Sequence, residues 1–381
     1  MIKYFVFFIS FLFSCNNYIN IKNSDFNLSI DGYNNVYIIK NNNKKYLLNK
    51  TLIIPENKVL IIDNGVIINV KNKGKIINKG TLLIGKNNND SLYNYKENYL
   101  KDLSFKYNTK IYSKKRIFIN SYLNSKIFIN SSFLKNIEIN CNYIKINNSI
   151  FYESTLNFNK SKILINKSIF KKNIFNIKNS DLNFNNNIFI KNSDFNIDSC
   201  KKSIINNCLF IDNKNINFLN NKNSDLLNNI FYNNKNNIIN IISNNGYFKL
   251  YNNLFINNKT IINNKDTNQL FLLNNTFNKN NLIIKFHKNK KLIISKNNIF
   301  SNNNKLFDLK NSIIKNSYCL SNTDSLSGYY NIYNDPLYVD INSFNYKLSN
   351  NSKGLSSGNN NINLGANIDN IYNIKYLKYL K

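Results

Sequence analysis

The chain is poor in most of the residues that carry chemistry. Its 381 residues include one histidine, ten glycines, two prolines, one methionine and no tryptophan. Arg116 is the only arginine and Ala366 the only alanine. A lysine-only surface lacks the planar guanidinium forks that grip phosphate from two sides. The net charge of +31 therefore does not argue for a nucleic-acid binder, because the lysines are spread evenly and no recognised nucleic-acid module accompanies them. None of the five cysteines, Cys15, Cys141, Cys200, Cys208 and Cys319, stands in CxxC spacing, which excludes the usual zinc arrangements. Long apolar runs are also missing. The stretch from Tyr4 to Phe13 is too short to span a bilayer and, standing at the start, reads as a secretory signal.

What is abundant is asparagine, lysine and isoleucine, a bias expected of AT-rich coding sequence. Bias does not explain register. Phe133, Phe151, Phe170, Phe189, Phe210, Phe231, Phe255, Phe277 and Phe300 recur at a period of about 20, a solenoid signature. Two positions before each stand Ser131, Ser149, Ser168, Asn187, Cys208, Asn229, Asn253, Asn275 and Asn298. Three positions after stand Asn136, Ser154, Asn173, Asn192, Asn213, Asn234, Asn258, Asn280 and Asn303. If each repeat is one coil laid on the last, like residues fall above like about 4.8 Å apart, and carboxamides, which both donate and accept, stack into ladders at the bends. Short β-branched runs such as Ile204-Ile205 and Leu282-Ile283-Ile284 are strand material. Single glycines, Gly65, Gly74, Gly80 and Gly85, punctuate the apolar strands between Tyr46 and Gly85 at turns expected to need positive φ.

These strands, with a Pro55-led turn between them, resemble the opening coils of bacterial right-handed parallel β-helix proteins of the pectate-lyase-like superfamily. The stretch Asn334-Asp335-Pro336-Leu337-Tyr338-Val339-Asp340, followed by Tyr346-Lys347-Leu348 and Leu364-Gly365-Ala366, resembles their closing segment. The fold expected is all-β: a single right-handed parallel β-helix with stacked Asn and Ser ladders. Its parts are a signal peptide (1–14), a lipidated Cys15 and tether (15–30), N-terminal coils and a loop (31–110), repeat coils (111–334), a C-terminal cap (335–369) and a basic tail (370–381). Leu12-Phe13-Ser14-Cys15 resembles a bacterial lipobox, which implies lipid attachment at Cys15. Ser91 to Lys115, with Tyr93, Tyr95, Tyr99 and Tyr107, reads as a loop leaving the coil.

Hydrolases of the superfamily use clustered aspartates with His and Arg motifs, whereas this chain has no Asp-Asp pair and its one histidine, His287, reads as a solvated residue at a strand end. Glu153 and Asp212 share a repeat position but lie three rungs apart, about 14 Å, too far for a glycosidase pair. Asp181, Asp194, Asp198, Asp212 and Asp225 differ in their offsets from the phenylalanines and so fall around the coil. No catalytic residue, metal site or cofactor is assigned, calcium entering only if the chain is a polysaccharide lyase. The function expected is a non-catalytic cell-envelope scaffold, adhesive or carbohydrate-binding. The alternative is a lyase or glycoside hydrolase acting on an anionic polysaccharide. Tyr152 and Tyr232, one position after their phenylalanines, are the candidate sugar-stacking residues. The expected partners are a polysaccharide or other envelope component and, through the lipid, a membrane. The chain is expected to be exported and monomeric.

Overall fold

The computed structural model describes residues 18–21, 36–40, 45–56, 58–63, 66–70, 74–85, 109–121, 126–287, 292–310 and 312–371. The signal segment, Cys15, the tyrosines at 93, 95, 99 and 107, and the basic tail beyond Ile371 lie outside the described residues. The rest forms a parallel β-solenoid of the right-handed type. Each coil contributes three strands, and each strand pairs in parallel with its counterpart one coil on. In the coil that starts at Ile150, the first strand is Ile150–Tyr152, and the continuous strand Thr155–Asn166 then passes round a bend to supply the other two sides. We call the three resulting sheets A, B and C in that order.

Sheet A carries the repeat seen in the sequence. Its inward column runs Ile19, Tyr46, Ile68, Ile111, Leu134, Phe151, Phe170, Phe189, Phe210, Phe231, Phe255, Phe277 and Phe300. In-register stacking places ring on ring: Phe210 and Phe231 have centroids 4.8 Å apart and tilted by 7°, Phe231 and Phe255 4.7 Å and 5°. Each such pair adds about 0.5–1.5 kcal/mol beyond the burial itself.

Phe133 does not belong to this column. Leu134 pairs with Phe151 and is fully buried, while Phe133 pairs with Ile150 on the outer side. The neighbouring columns shift with it, so Ser132 rather than Ser131, and Ile137 rather than Asn136, take the inward bend positions. The cause is backbone geometry. Three residues before the anchor the chain is left-handed in every coil of this stretch (Ser131 φ 45°, Asn148 φ 47°, Asn186 φ 55°), and so it is two residues after (Asn136 φ 55°, Glu153 φ 52°, Lys172 φ 59°). Those two bends bracket each short strand, and a slip of one residue would turn every side chain to the opposite face. Asparagine is the non-glycine residue that tolerates this conformation best, which gives the composition a structural use.

The inward residues at both bends close the backbone. Asn229 Oδ1 accepts the Cys208 amide at 2.8 Å, and its Nδ2 donates to Ile205 O at 2.9 Å. Asn213 Oδ1 accepts the Asn192 amide at 2.9 Å and its Nδ2 donates to Phe189 O at 2.9 Å. The same contacts recur from Ser149 to Asn303. Cys208 occupies one rung of this ladder as a buried thiol.

Two further expectations change, and the closing segment takes a definite place. Gly74 and Gly80 are not at positive φ; a Cβ on either would run into the Leu48 or Lys58 carbonyl of a neighbouring strand, so glycine serves close approach there. The expected loop to Lys115 ends sooner, because Thr109–Ser121 is a strand that pairs with residues of Ser132–Asn147. The closing segment lies as a strap along the outer side of sheet A. Gly365 N bonds Asn297 O at 2.8 Å, Ala366 N bonds Thr276 Oγ1 at 2.9 Å, and Asn367 N bonds Asn252 Oδ1. It travels back over earlier coils and buries Ile188, Leu209, Ile230 and Leu254 beneath Tyr346, Ala366, Ile368 and Ile371.

Replacing Asn229 by alanine strands the Cys208 amide in the core and removes one hydrogen bond to Ile205 O. At about 1–3 kcal/mol for an orphaned buried group, the expected loss is on the order of 1–3 kcal/mol, read by denaturant unfolding. Asn196→Ala on the outer face of sheet B is expected to cost less than about 1 kcal/mol.

Candidate binding face

Sheet B carries a second amide column that the phenylalanine register did not reveal. Strand pairing brings Asn140, Asn157, Asn176, Asn196, Asn217, Asn240 and Asn263 into one outward row. Each donates backwards: Asn157 Nδ2 to Asn140 Oδ1 at 2.9 Å, Asn176 to Asn157 at 2.9 Å, Asn196 to Asn176 at 3.1 Å. Asn217, Asn240 and Asn263 continue the series at 2.8, 2.8 and 2.9 Å. Asn176 is exposed, Asn140, Asn157, Asn196 and Asn217 are half-buried, and Asn240 and Asn263 are buried. A carboxamide has two N–H groups and two lone pairs, and the ladder uses one N–H and one lone pair. Asn157 spends its second N–H on Glu138 Oε1 at 3.1 Å, while on Asn176 and Asn196 the remainder is directed at solvent at the strand spacing of about 4.8 Å.

Asn140, Asn157, Asn176 and Asn196 line a groove of about 540 Å³ whose other walls include Cys141, Asn159, Lys178, Asp198 and Leu219. Lys178 and Asp198 face each other across one rung at 3.9 Å. The groove is open, with Phe158, Ile177 and Leu219 as apolar lining and one charge of each sign contributed by that pair.

His287 ends the ladder. Its Nε2 lies 2.6 Å from Asn263 Oδ1. Because Asn263 Nδ2 already donates to Asn240, its Oδ1 must accept, so His287 is the donor and carries its proton on Nε2. His287 is exposed directly after the strand Leu282–Phe286, as the sequence reading has it, and the contact with Asn263 is what the structure adds. Desolvation lowers the His287 pKa below the ordinary value, and Lys285, Lys310 and Lys265 lower it further, Asp308 opposing them.

The other sequence candidates are dispersed. Tyr152 stands between two lysines, Lys135 Nζ 5.1 Å and Lys172 Nζ 5.5 Å from its ring centre. Lys172 also donates to the Tyr152 hydroxyl at 3.2 Å and pairs with Glu153 at 3.4 Å. The Glu153 carboxyl is held below the usual range, first by its hydrogen bond with Tyr152 and then by Lys172 and Lys135. Tyr232 packs edge-on against Phe344 of the strap at 5.5 Å. Asp181 and Asp225 lie in sheet C, Asp194 and Asp198 in sheet B, and Asp212 at a bend after sheet A. Among the described residues, no three His, Cys, Asp or Glu side chains gather as a metal site would require.

Neither a comparison with protein-family models nor one with curated proteins finds a match. Among solved structures the chain is similar to the periplasmic alginate epimerase AlgG and to a point mutant of that enzyme. Identity is 12% in both, over 79% of this chain and 83% of that one, with TM-scores of 0.35 and 0.36.

Two-dimensional NMR of the single imidazole is expected to give a titration midpoint below 6.5, and Lys285→Gln to raise it. Between the two midpoints the unfolded chain holds the extra proton, so this contribution to stability is present above the unfolded value and is lost as pH falls through the folded one. A midpoint at or above 6.5 refutes the assignment.

Proposed function

We propose that the chain is a non-catalytic cell-envelope β-helix whose long face binds carbohydrate. The observation that carries this is the outward amide ladder at Asn176 and Asn196. It offers unspent donors and acceptors on consecutive rungs of an open groove, a periodic partner for the hydroxyls of an extended glycan. The net charge of +31 favours a polymer bearing carboxylates or other anions over a neutral one, since a basic surface raises the local concentration of such a ligand. In this reading the protein is exported, held at a membrane by a lipid on Cys15 or secreted, and works as a monomer. Tyr152, with Lys135 and Lys172 beside its ring, adds a cationic aromatic point on a neighbouring sheet.

The test incubates the purified chain with anionic and neutral polysaccharides, with and without calcium, and records both retention and the release of unsaturated or reducing ends. Retention of an anionic polymer without product is expected, weakened about tenfold (about 1.4 kcal/mol) by Asn176→Leu with Asn196→Leu. Release of product would overturn the non-catalytic reading in favour of a polysaccharide lyase or hydrolase. Retention unaffected by the double substitution would remove the ladder as the binding face.

A further inference from the structure

The left-handed bend before sheet A is occupied by Ser, Asn or Lys in every coil from Ser131 to Asn297, and by tyrosine in the last two, Tyr318 (φ 52°) and Tyr330 (φ 57°). A bulky aromatic gains nothing there from the backbone. Asparagine is the easier occupant of this conformation, and the chain has asparagine in abundance. Strain kept at one place in a repeat that elsewhere avoids it points to a use for the side chain.

The two rings stack, centroids 4.8 Å apart and planes 20° from parallel. Their strands are joined by the Tyr318 amide donating to Tyr329 O at 3.1 Å. Tyr330 is the outer ring of the pair and is 72% exposed; Tyr329 beside it is 79% and Tyr333 65% exposed. Such exposure is not required by the core, which at this end is closed by Leu306 and Cys319 with Leu326 packed against it. Lys296 Nζ, one coil earlier, sits 5.8 Å from the Tyr318 ring centre and brings a cation to the same corner.

We propose that the stacked pair Tyr318 and Tyr330, with Tyr329 in the outward column of Lys296, forms an aromatic platform at the C-terminal end of the coil, which stacks against the pyranose rings of a glycan carrying carboxylates, with Lys296 as counter-ion. Flat amphipathic rings with hydroxyl edges suit the apolar face of a sugar while satisfying its hydroxyls. Short two-residue strands at this end, Gly328–Tyr329 and Ile332–Tyr333, offer little edge for a second chain to extend the sheet, which favours a glycan over end-to-end association. The platform rests on the carbohydrate-binding reading and places a second contact on a different part of the coil from the amide ladder.

Affinity electrophoresis of the full chain through gels containing alginate, polygalacturonate or neutral dextran tests it, with melting temperature measured alongside. Tyr318→Asn with Tyr330→Asn restores the residue type of the earlier coils, so the melting temperature is expected to hold or rise while retardation by the anionic gels falls at least about fivefold. Lys296→Gln is expected to weaken retardation by the anionic polymers and leave the dextran mobility unchanged. Retardation that survives the double substitution but is lost with Asn176→Leu and Asn196→Leu overturns the platform alone. Absence of retardation by every polymer in the unaltered chain overturns the platform and the carbohydrate reading together. A concentration-dependent mass in sedimentation that the double substitution abolishes, without effect on retardation, would make the tyrosines a self-association surface instead.

Discussion

Everything in this molecule depends on how the backbone is closed where the coil bends. A parallel solenoid must change direction between sheets inside a low-dielectric core, and each bend leaves amide and carbonyl groups that the strands cannot pair. An inward carboxamide answers both needs, because Oδ1 takes the amide of the preceding coil while Nδ2 reaches the carbonyl at the end of the strand before it, as Asn229 and Asn213 do. The left-handed residue beside each ladder position sets the direction of the turn. With those contacts in place the coils can lie in register, and only then do the phenylalanines stack at 4.7 to 5.3 Å along the interior. The aromatic column depends on the amide columns.

The same register decides where polar groups stand outside. The outward row of sheet B is a by-product of stacking in that one asparagine falls over another, yet its half-used amides make a surface quite unlike the lysine-rich bends nearby. Sheet A has the opposite character over its later coils, where Ile188, Leu209, Ile230 and Leu254 point outward and the strap covers them. Gly365 and Ala366, among the scarcest residue types in the chain, lie where the strap passes closest: a Cβ on Gly365 would meet Thr276 and Ile299.

The repeat, the strand character and the two bend columns that bracket sheet A were legible because they keep constant distances from one phenylalanine. Phe133 misled by being adjacent to the true anchor, Leu134; only the left-handed geometry at Ser131 and Asn136 separates the two choices. The outward ladder escaped notice because its members stand six to nine residues after the phenylalanine, the bend between sheets A and B varying in length. His287 was hidden for the same reason, its partner Asn263 being reachable only once sheet B is aligned on its own strands. The terminal tyrosines lay past the last phenylalanine, where the repeat supplied no ruler.

By itself the sequence determined an all-β parallel coil with amide ladders, since periodicity and side-chain chemistry act locally and survive without coordinates. It also placed Asp181, Asp194, Asp198, Asp212 and Asp225 at several positions around the coil, since their offsets differ. The tertiary structure alone decided which residue anchors the first phenylalanine coil, where the closing segment lies, and which asparagines and tyrosines face solvent together. Those questions turn on contacts between residues about 20 or more positions apart, whose spacing is set by how each coil takes up its own insertions before it meets the next.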